Sequence, residues 1–157
     1  MRIIMDSFDK HILELLQTNT NLTVAEIAEK VGLSSSACHR RIKLIEDRGL
    51  IKRSVAILDE AKLGLRTSVF VQVTLDNQKD TNLESFERAV IDRPEIMDCY
   101  LMSGDADYLI RVLIRDAADY ETFHHDFLTK LPGVQRVVSN FAIRGVMRRT
   151  KVPLHML

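Results

Sequence analysis

Apolar residues recur with helical spacing in three stretches of the first fifty residues. The first stretch follows Asp6, which is a good helix-capping residue. The second lies between Thr23 and Gly32, and Thr23 and Glu26 have the three-residue spacing of a capping box. A glycine directly after the last periodic residue is typical of a helix end. The pattern therefore predicts three helices, with a very short turn between the second and the third.

The third predicted helix, between Ser34 and Gly49, has one apolar side and one basic side. Its apolar positions are Cys38, Ile42 and Ile45, at i, i+4 and i+7. The opposite side carries polar and charged residues, namely Ser36, His39, Arg40, Lys43 and Asp47. A helix of this kind, joined to another by a tight turn, favours a DNA-reading helix-turn-helix. The alternative is a three-helix bundle with no DNA role, because many surface helices are basic on one side.

The pattern changes after the third helix. A strand is predicted from Leu50 to Leu58, where it would form a minimal wing, and a polar stretch follows up to residue 66. From Thr67 the chain alternates strands and helices in the order strand, helix, strand, strand, helix, strand. This order is that of a ferredoxin-like βαββαβ domain. The fold class is therefore α+β, with a winged helix-turn-helix in residues 1–58, a linker in 59–66 and the ferredoxin-like domain in 67–157.

Two helices cover only one face of such a sheet. Candidates for the uncovered face are Phe70, Gln72, Tyr100, Met102 and Phe141. Because an exposed apolar face usually marks self-association, the sequence predicts a dimer in which two sheets face each other. A two-fold dimer also suits DNA, since it presents two reading helices to two half-sites.

Composition adds a local charge asymmetry to this picture. The chain is 46% hydrophobic and 28% charged, with 22 basic and 22 acidic residues, so it can bury a core and has no overall bias toward nucleic acid. The stretch from Ser34 to Arg53 is nevertheless basic, which predicts salt-sensitive DNA binding. No apolar run is long enough to span a bilayer and no signal peptide is present, which predicts a soluble, cytoplasmic protein.

Catalytic and metal-binding chemistry is disfavoured by the spacing of the reactive residues. Cys38 and His39 are adjacent on a helix, so they point in different directions and do not form a nucleophile–base pair. The run from His124 to Asp126 is likewise consecutive on a helix and does not converge on a metal, and no phosphate-binding glycine loop is present. We expect no enzyme, no cofactor and no metal site. Cys38 and Cys99 have no CxxC neighbour and are expected to be buried free thiols.

Taken together, the motifs resemble the Lrp/AsnC (feast/famine) family of transcriptional regulators over nearly the whole chain. The resemblance is carried by Asp6 and Asp9 with Ile12-Leu13, by Leu33-Ser34 with Cys38, Arg40, Arg41, Leu50 and Ile51, and later by Gly104, Asp107-Tyr108-Leu109 and Ser139-Asn140-Phe141. It implies dimers that assemble further, commonly as an octamer of four dimers. It also implies a small effector, usually an amino acid, bound between dimers near the turn at 104–107.

The residues expected to contact double-stranded DNA lie on the third helix and beside it. They are Thr23, Ser34, Ser35, Ser36, His39, Arg40, Arg41, Lys43, Lys52 and Arg53. Arg40 and Lys43 suit guanine edges or phosphates, and the serines suit phosphate at the helix N-terminus. Arg41 lies nearer the packed side, where pairing with an acid is the alternative.

The residues expected to hold the effector are Met102, Ser103, Gly104, Asp105, Asp107, Tyr108, Ser139 and Asn140. A zwitterionic amino acid needs an acceptor for its ammonium group, which Asp107 could supply, and donors for its carboxylate, which backbone amides near Gly104 could supply. The alternative is that Gly104-Asp105 is only a hairpin turn.

Three functional hypotheses follow from these residues. The first is a sequence-specific transcriptional regulator that responds to an amino acid or a related small effector. The second is an architectural protein that wraps DNA with low specificity and has no effector. The third is a small ligand-binding or metabolic enzyme subunit whose helices serve only dimerisation. Steep salt dependence of DNA binding argues against the third, and a ligand-induced shift in assembly or melting temperature argues against the second.

Overall fold

The structure, a computed structural model, describes residues 5–157. The predicted start of the first domain, residue 1, lies outside the described residues. The chain forms two compact units. One contains the residues up to Ile57 together with Met147–Leu157, and the other contains Leu58–Val146. The sequence assigned residues 147–157 to the second domain, whereas the structure packs them on the first unit. We call Met147–Leu157 the C-terminal tail.

The first unit is built on three helices, α1 (Ser7–Thr18), α2 (Val24–Val31) and α3 (Ser35–Asp47). Each begins as its capping residue predicts: the Asp6 carboxylate accepts a hydrogen bond from the Asp9 amide, Thr23 and Glu26 form a complete capping box, and the Ser34 hydroxyl accepts from the Ala37 amide. The buried core of this unit consists of Ile12, Leu13, Ile27, Ala28, Val31, Cys38, Ile45 and Leu154.

The predicted wing strand from Leu50 to Leu58 is wrong for this structure. The segment is irregular, and no backbone–backbone hydrogen bond joins residues 51–58 to another part of the described chain. A strand requires a neighbouring strand to bond with, and alternation along one segment does not provide that neighbour.

The C-terminal tail completes the core of the first unit. Leu154 is buried among the core residues of the three helices, in a short 3₁₀ turn over Leu154–Met156. The Gln17 side chain on α1 accepts from the Val152 amide at 2.6 Å and donates to the Val152 carbonyl at 3.4 Å. Lys10 donates to the Leu157 carbonyl oxygen at 2.6 Å. The tail is therefore held to α1 by a buried side chain and by polar contacts on both sides of it.

The second unit has the predicted ferredoxin-like order. Its elements are β1 (Thr67–Leu75), α4 (Asp80–Ile91), β2 (Ile96–Leu101), β3 (Tyr108–Ile114), α5 (Ala117–Asp126) and β4 (Val134–Phe141), with a 3₁₀ turn at Leu128–Lys130. The four strands form one antiparallel sheet in the order β2-β3-β1-β4. The sequence pattern predicts a last strand from Val134 to Val146, but the strand ends at Phe141.

Strand register assigns the two faces of the sheet. Val69, Val71 and Val73 of β1 are buried in the core against α4 and α5, which cover one face. Phe70 and Gln72 alternate with them and lie on the open face, where Leu109 of β3 pairs with both Gln72 and Tyr100. The predicted open-face positions of Phe70, Gln72 and Tyr100 are therefore confirmed.

Phe141 was wrongly assigned to the open face. It pairs with Val69, so it lies on the helix-covered face, and its ring meets that of Tyr120 at 5.1 Å in an edge-to-face arrangement. The reason is the register of β4 against β1, which sequence alternation alone does not determine.

The two cysteines differ in environment. Both are free, but only Cys38 is buried, whereas Cys99 is exposed on the edge strand β2, contrary to prediction. The residue is exposed as a whole, but partial loss of hydration at the thiol, reinforced by the nearby Glu87 carboxylate, raises the pKa of Cys99 to about 11. Among the helices of residues 5–157, none has the length and apolar character required to cross a membrane.

Candidate functional site

The turn between α2 and α3 is tight because Gly32 takes a left-handed conformation, with φ of +73°. The Leu33 amide bonds back to the Ala28 carbonyl at 2.9 Å, which closes the end of α2. Ser34 then caps α3 directly, so only three residues separate the two helices. This is the local geometry that a helix-turn-helix requires.

The outward side of α3 presents a continuous polar surface. Ser35, Ser36, His39, Arg40 and Lys43 are all exposed, whereas Cys38 and Ile45 on the opposite side are buried. Within residues 5–157, no ion pair involves His39, Arg40 or Lys43. The first turn carries no acid. The surface therefore has free cationic donors and a positive helix end, which together suit the phosphates and base edges of DNA. We call these five residues the α3 surface.

Arg41 does not belong to this surface. Its Nη1 lies 2.7 Å from Asp9 Oδ1 and 2.8 Å from Asp6 Oδ2, and its guanidinium stands 5.3 Å from the centre of the Phe8 ring. The Asp9 and Asp6 carboxylates raise the pKa of Arg41 above its ordinary value. The expectation that Arg41 contacts DNA is replaced by its alternative, in which the residue ties α3 to α1.

Two further predicted DNA contacts already have local partners. Thr23 is exposed, but its hydroxyl donates to Glu26 at 2.7 Å within the capping box. The Ser34 hydroxyl caps α3 and lies 3.2 Å from the Ser36 hydroxyl. Both residues set the start of a helix, so their first effect is on helix position and not on DNA directly.

Lys52 and Arg53 are exposed in the irregular segment after α3. With residues of α1 and the C-terminal tail they line a largely apolar cavity of about 970 Å³ in the first unit. The structure therefore does not place them on a wing beside the α3 surface.

The loop at 102–107, which was expected to bind the effector, is held in place by Asp107. This residue is only 6% exposed. Its Oδ2 accepts from the Leu75 amide at 2.7 Å and its Oδ1 accepts from Gln78 Nε2 at 2.5 Å. Its own backbone bonds to Val73 and Met102. Asp107 thus fastens the β2–β3 loop to the end of β1, and its carboxylate faces protein donors.

The exposed part of the loop is its tip. Met102, Ser103, Gly104 and Asp105 are all exposed, as is the neighbouring Tyr100. A carboxylate, a hydroxyl and the backbone around a glycine thus stand together beside apolar side chains. These groups could hold a zwitterion if a second surface closed over them.

The other predicted effector residues do not converge on this tip. The Tyr108 ring is buried beside Phe86 and its hydroxyl donates to Glu87 Oε1 at 2.8 Å. Burial, followed by the Glu87 hydrogen bond, raises the pKa of Tyr108 well above its ordinary range. Ser139 shares a hydrogen bond with Tyr120 on the helix-covered face, whereas Asn140 pairs with Phe70 on the open face.

Three functional features were missed in the sequence. Gln78, which holds Asp107, lies in a polar loop whose composition indicated only a connection. Gln17 binds the tail from a position 135 residues away in sequence, a distance at which no local pattern exists. Arg93 and Glu95 line a cavity in the second unit, and the polar residues on either side of Pro94 were the only available signal in the sequence.

Comparison with known proteins covers both units. Residues 5–45 match the family model of the AsnC-type helix-turn-helix domain. Residues 68–152 match the family model of the Lrp/AsnC ligand binding domain. The Bkd operon transcriptional regulator of Pseudomonas aeruginosa is 40% identical over 150 residues, which are 96% of this chain and 98% of that protein.

Two solved structures agree with this fold over nearly the whole chain. An AsnC family transcriptional regulator from Agrobacterium tumefaciens has a TM-score of 0.93 at 38% identity, covering 98% of this chain and 99% of that one. The transcriptional regulator NMB0573 of Neisseria meningitidis, in complex with L-Met, has a TM-score of 0.92 at 34% identity and covers 98% of this chain and 100% of that one.

Proposed function

Because the chain belongs to the Lrp/AsnC family of transcriptional regulators and is not an enzyme, we propose that it binds specific DNA sequences through α3 in response to an amino-acid effector. The observation that carries the DNA part is the α3 surface, whose cations have no acidic partner in the described chain while the adjacent Arg41 is fully paired. Free donors on a rigid helix are what base reading requires.

The second part of the proposal is a dimer formed through the open sheet face. That face exposes Phe70 and Tyr100 beside the polar Gln72. Large exposed apolar groups on a sheet are stabilised by a second surface. A two-fold pair would present two α3 helices to half-sites about 34–36 Å apart, or a multiple of that spacing. Further assembly into an octamer of four dimers would follow the family pattern.

The third part concerns the effector. We place it at the loop tip formed by Ser103, Gly104 and Asp105, with a second copy completing the site. The L-Met bound to the Neisseria regulator supports an amino acid as the ligand class. Asp107 then acts as a positioning residue that fixes the loop, and not as the ammonium acceptor, because both of its oxygens are bonded within the chain.

The DNA part is tested by replacing one cation of the α3 surface. Arg40→Ala is expected to weaken binding to a selected site by about 1–3 kcal/mol if Arg40 reads a base. Binding is measured by fluorescence anisotropy at fixed salt, with DNA fragments chosen by selection from a random pool. Arg88→Ala serves as the matched control, since Arg88 is exposed on α4 of the other unit.

Two results would contradict this assignment. Equal affinity of the Arg40→Ala variant and the parent at the same salt removes Arg40 from the interface. Steep salt dependence with no sequence selected from the pool instead favours an architectural protein that binds phosphates alone.

The effector part is tested by thermal melting against the twenty amino acids, with assembly mass followed by light scattering. A shift with one or a few of them is expected, and Asp105→Ala should abolish it. A shift that persists in this variant would remove the loop tip from the site.

A further inference from the structure

The C-terminal tail carries positive charge and no acidic side chain. It includes Arg148, Arg149 and Lys151 and contains neither aspartate nor glutamate. The segment after α3, residues 48–58, also lacks acidic residues. Because the whole chain has 22 basic and 22 acidic residues, these two segments form a local excess of positive charge on a protein with no net charge. Such an excess attracts anions to that surface.

The fold brings these two basic segments together. Lys52, Arg53 and Arg148 line the same cavity of the first unit, although the entire second unit lies between them in the sequence. The buried Leu154 and the hydrogen bonds between Gln17 and the tail backbone hold the tail in this position. Cations from two distant parts of the sequence therefore share one surface of the first unit.

Two of the tail cations point away from the cavity. The even-numbered residues from 148 to 154 line it, whereas Arg149 and Lys151 do not. Alternate residues of an extended chain face opposite sides, so Arg149 and Lys151 are directed to solvent, and both are exposed. Lys52 and Arg53, which line the cavity, are also exposed. Within residues 5–157, none of these four cations forms an ion pair. We call these four residues the tail patch.

The tail and α3 pack on neighbouring sides of α1. Asp9 on α1 binds Arg41 of α3, and Gln17 on α1 binds the tail. Because a helix has about 3.6 residues per turn, Gln17 lies about 80° from Asp9 around the axis of α1. Lys10, which also binds the tail, lies about 100° from Asp9. The tail is therefore beside α3 and not on the opposite side of α1.

Exposed cations without acidic partners suit the phosphates of nucleic acid. Each phosphate that a cation neutralises releases a counterion, so the contact is favourable without burial and does not depend on base sequence. An acid bonded to these cations would oppose the contact, and the described chain provides none. Because the same compact unit presents the α3 surface, DNA is the polyanion that this unit brings to the tail patch.

We propose that the tail patch binds the phosphates of the DNA that flanks the site read by α3, without reading its bases. This inference rests on the proposed function, because it adds a second contact to DNA that α3 already holds. The tail then has a role in DNA binding as well as in the core of the first unit. Loss of the patch contacts lowers the affinity for every sequence by the same factor, since phosphate contacts carry no sequence information.

The test removes the two outward tail cations together, as Arg149→Gln with Lys151→Gln in the full chain. Fluorescence anisotropy at several salt concentrations measures binding to the selected site with about 10 flanking base pairs on each side, and to a random fragment of the same length. The slope of the logarithm of affinity against the logarithm of salt concentration is expected to decrease in magnitude by about 2, one for each lost phosphate contact. The affinities for the two fragments should fall by the same factor. The matched control, Lys79→Gln with Arg88→Gln, removes the same charge from exposed sites of the second unit and should leave the slope unchanged.

Several outcomes would overturn the proposal. An unchanged slope in the tail variant, with DNA binding retained, removes the patch from the interface and leaves the proposed function standing. An equal decrease in the control variant assigns the effect to net charge and not to the patch. A changed assembly mass of the DNA-free tail variant in sedimentation velocity assigns the patch to a contact between copies. A parent protein that binds neither fragment contradicts the proposed function itself.

Discussion

At the residue scale, Asp107 lies in the expected loop, but its carboxylate has a different role from the one expected. Its place directly after the loop suggested an effector ligand, because a carboxylate near a glycine suits an ammonium group. In the structure, its two oxygens instead accept hydrogen bonds from the last residue of β1 and from the loop after it. The residue type and the turn were predictable from the sequence. The donors were not, because Leu75 and Gln78 lie about thirty residues earlier in the chain.

Replacing Asp107 should therefore affect stability first. Asp107→Ala leaves the Leu75 amide without an acceptor, so we expect the free energy of unfolding to fall by about 1–3 kcal/mol. Urea denaturation measures this change. The control is Asp105→Ala in the exposed tip, which should stay within about 0.5 kcal/mol of the parent. Equal stability of the two variants would show that Asp107 does not hold the loop.

Arg41 leads to a prediction about pH. The Asp9 amide, followed by Arg41, lowers the pKa of Asp6 below its ordinary value of 3.8. A lowered carboxyl pKa stabilises the fold above the unfolded value, and this stabilisation is lost as the pH falls through the folded value. The melting temperature of Arg41→Gln should thus lie below that of the parent at pH 7, and the two should approach each other below about pH 4. A difference that does not change with pH would refute this account.

At the element scale, the sequence correctly predicted the helix starts, because these are determined by residues close together in the chain. Ser34, Thr23 and Asp6 cap helices through groups three residues away, so their effect is visible in a short window. The predictions that were wrong concern features that depend on residues far apart in the chain. Phe141 was assigned to the wrong face because its register is set by Val69, and the wing strand was predicted without a neighbour with which to pair.

The C-terminal tail, which the sequence analysis placed in the second domain, packs with the first unit in the structure. Leu154→Ala should reduce the free energy of unfolding by at least about 2 kcal/mol, because Leu154 is buried in the core of the first unit. The matched control is Met156→Ala, since Met156 is 75% exposed in the same turn. Both are measured by chemical denaturation. A loss of the same size in both variants would contradict core packing by the tail.

At the scale of the whole molecule, the open sheet face predicts a dimer. Phe70→Arg places a cation in the centre of that face and is expected to shift the assembly mass toward the monomer, since an unpaired charge in an interface is unfavourable. Sedimentation velocity measures the shift. Ile91→Arg is the control, because Ile91 is 77% exposed on α4, on the other side of the sheet. An unchanged mass in the Phe70 variant would exclude the open face as the interface.

The packing of the C-terminal tail against the first unit also has a consequence for biosynthesis. Residues 147–157 are translated after the entire sheet unit, so the core around Ile12 remains open until they emerge from the ribosome. At typical elongation rates this delay is roughly 5–20 s. A nascent chain thus completes its helix-turn-helix unit only after residues 147–157 have been made, and products truncated before them would be poor competitors for DNA sites. Ribosome-arrested chains that stop before residue 147 should accordingly be cut more readily by protease within α1 than chains that include the tail.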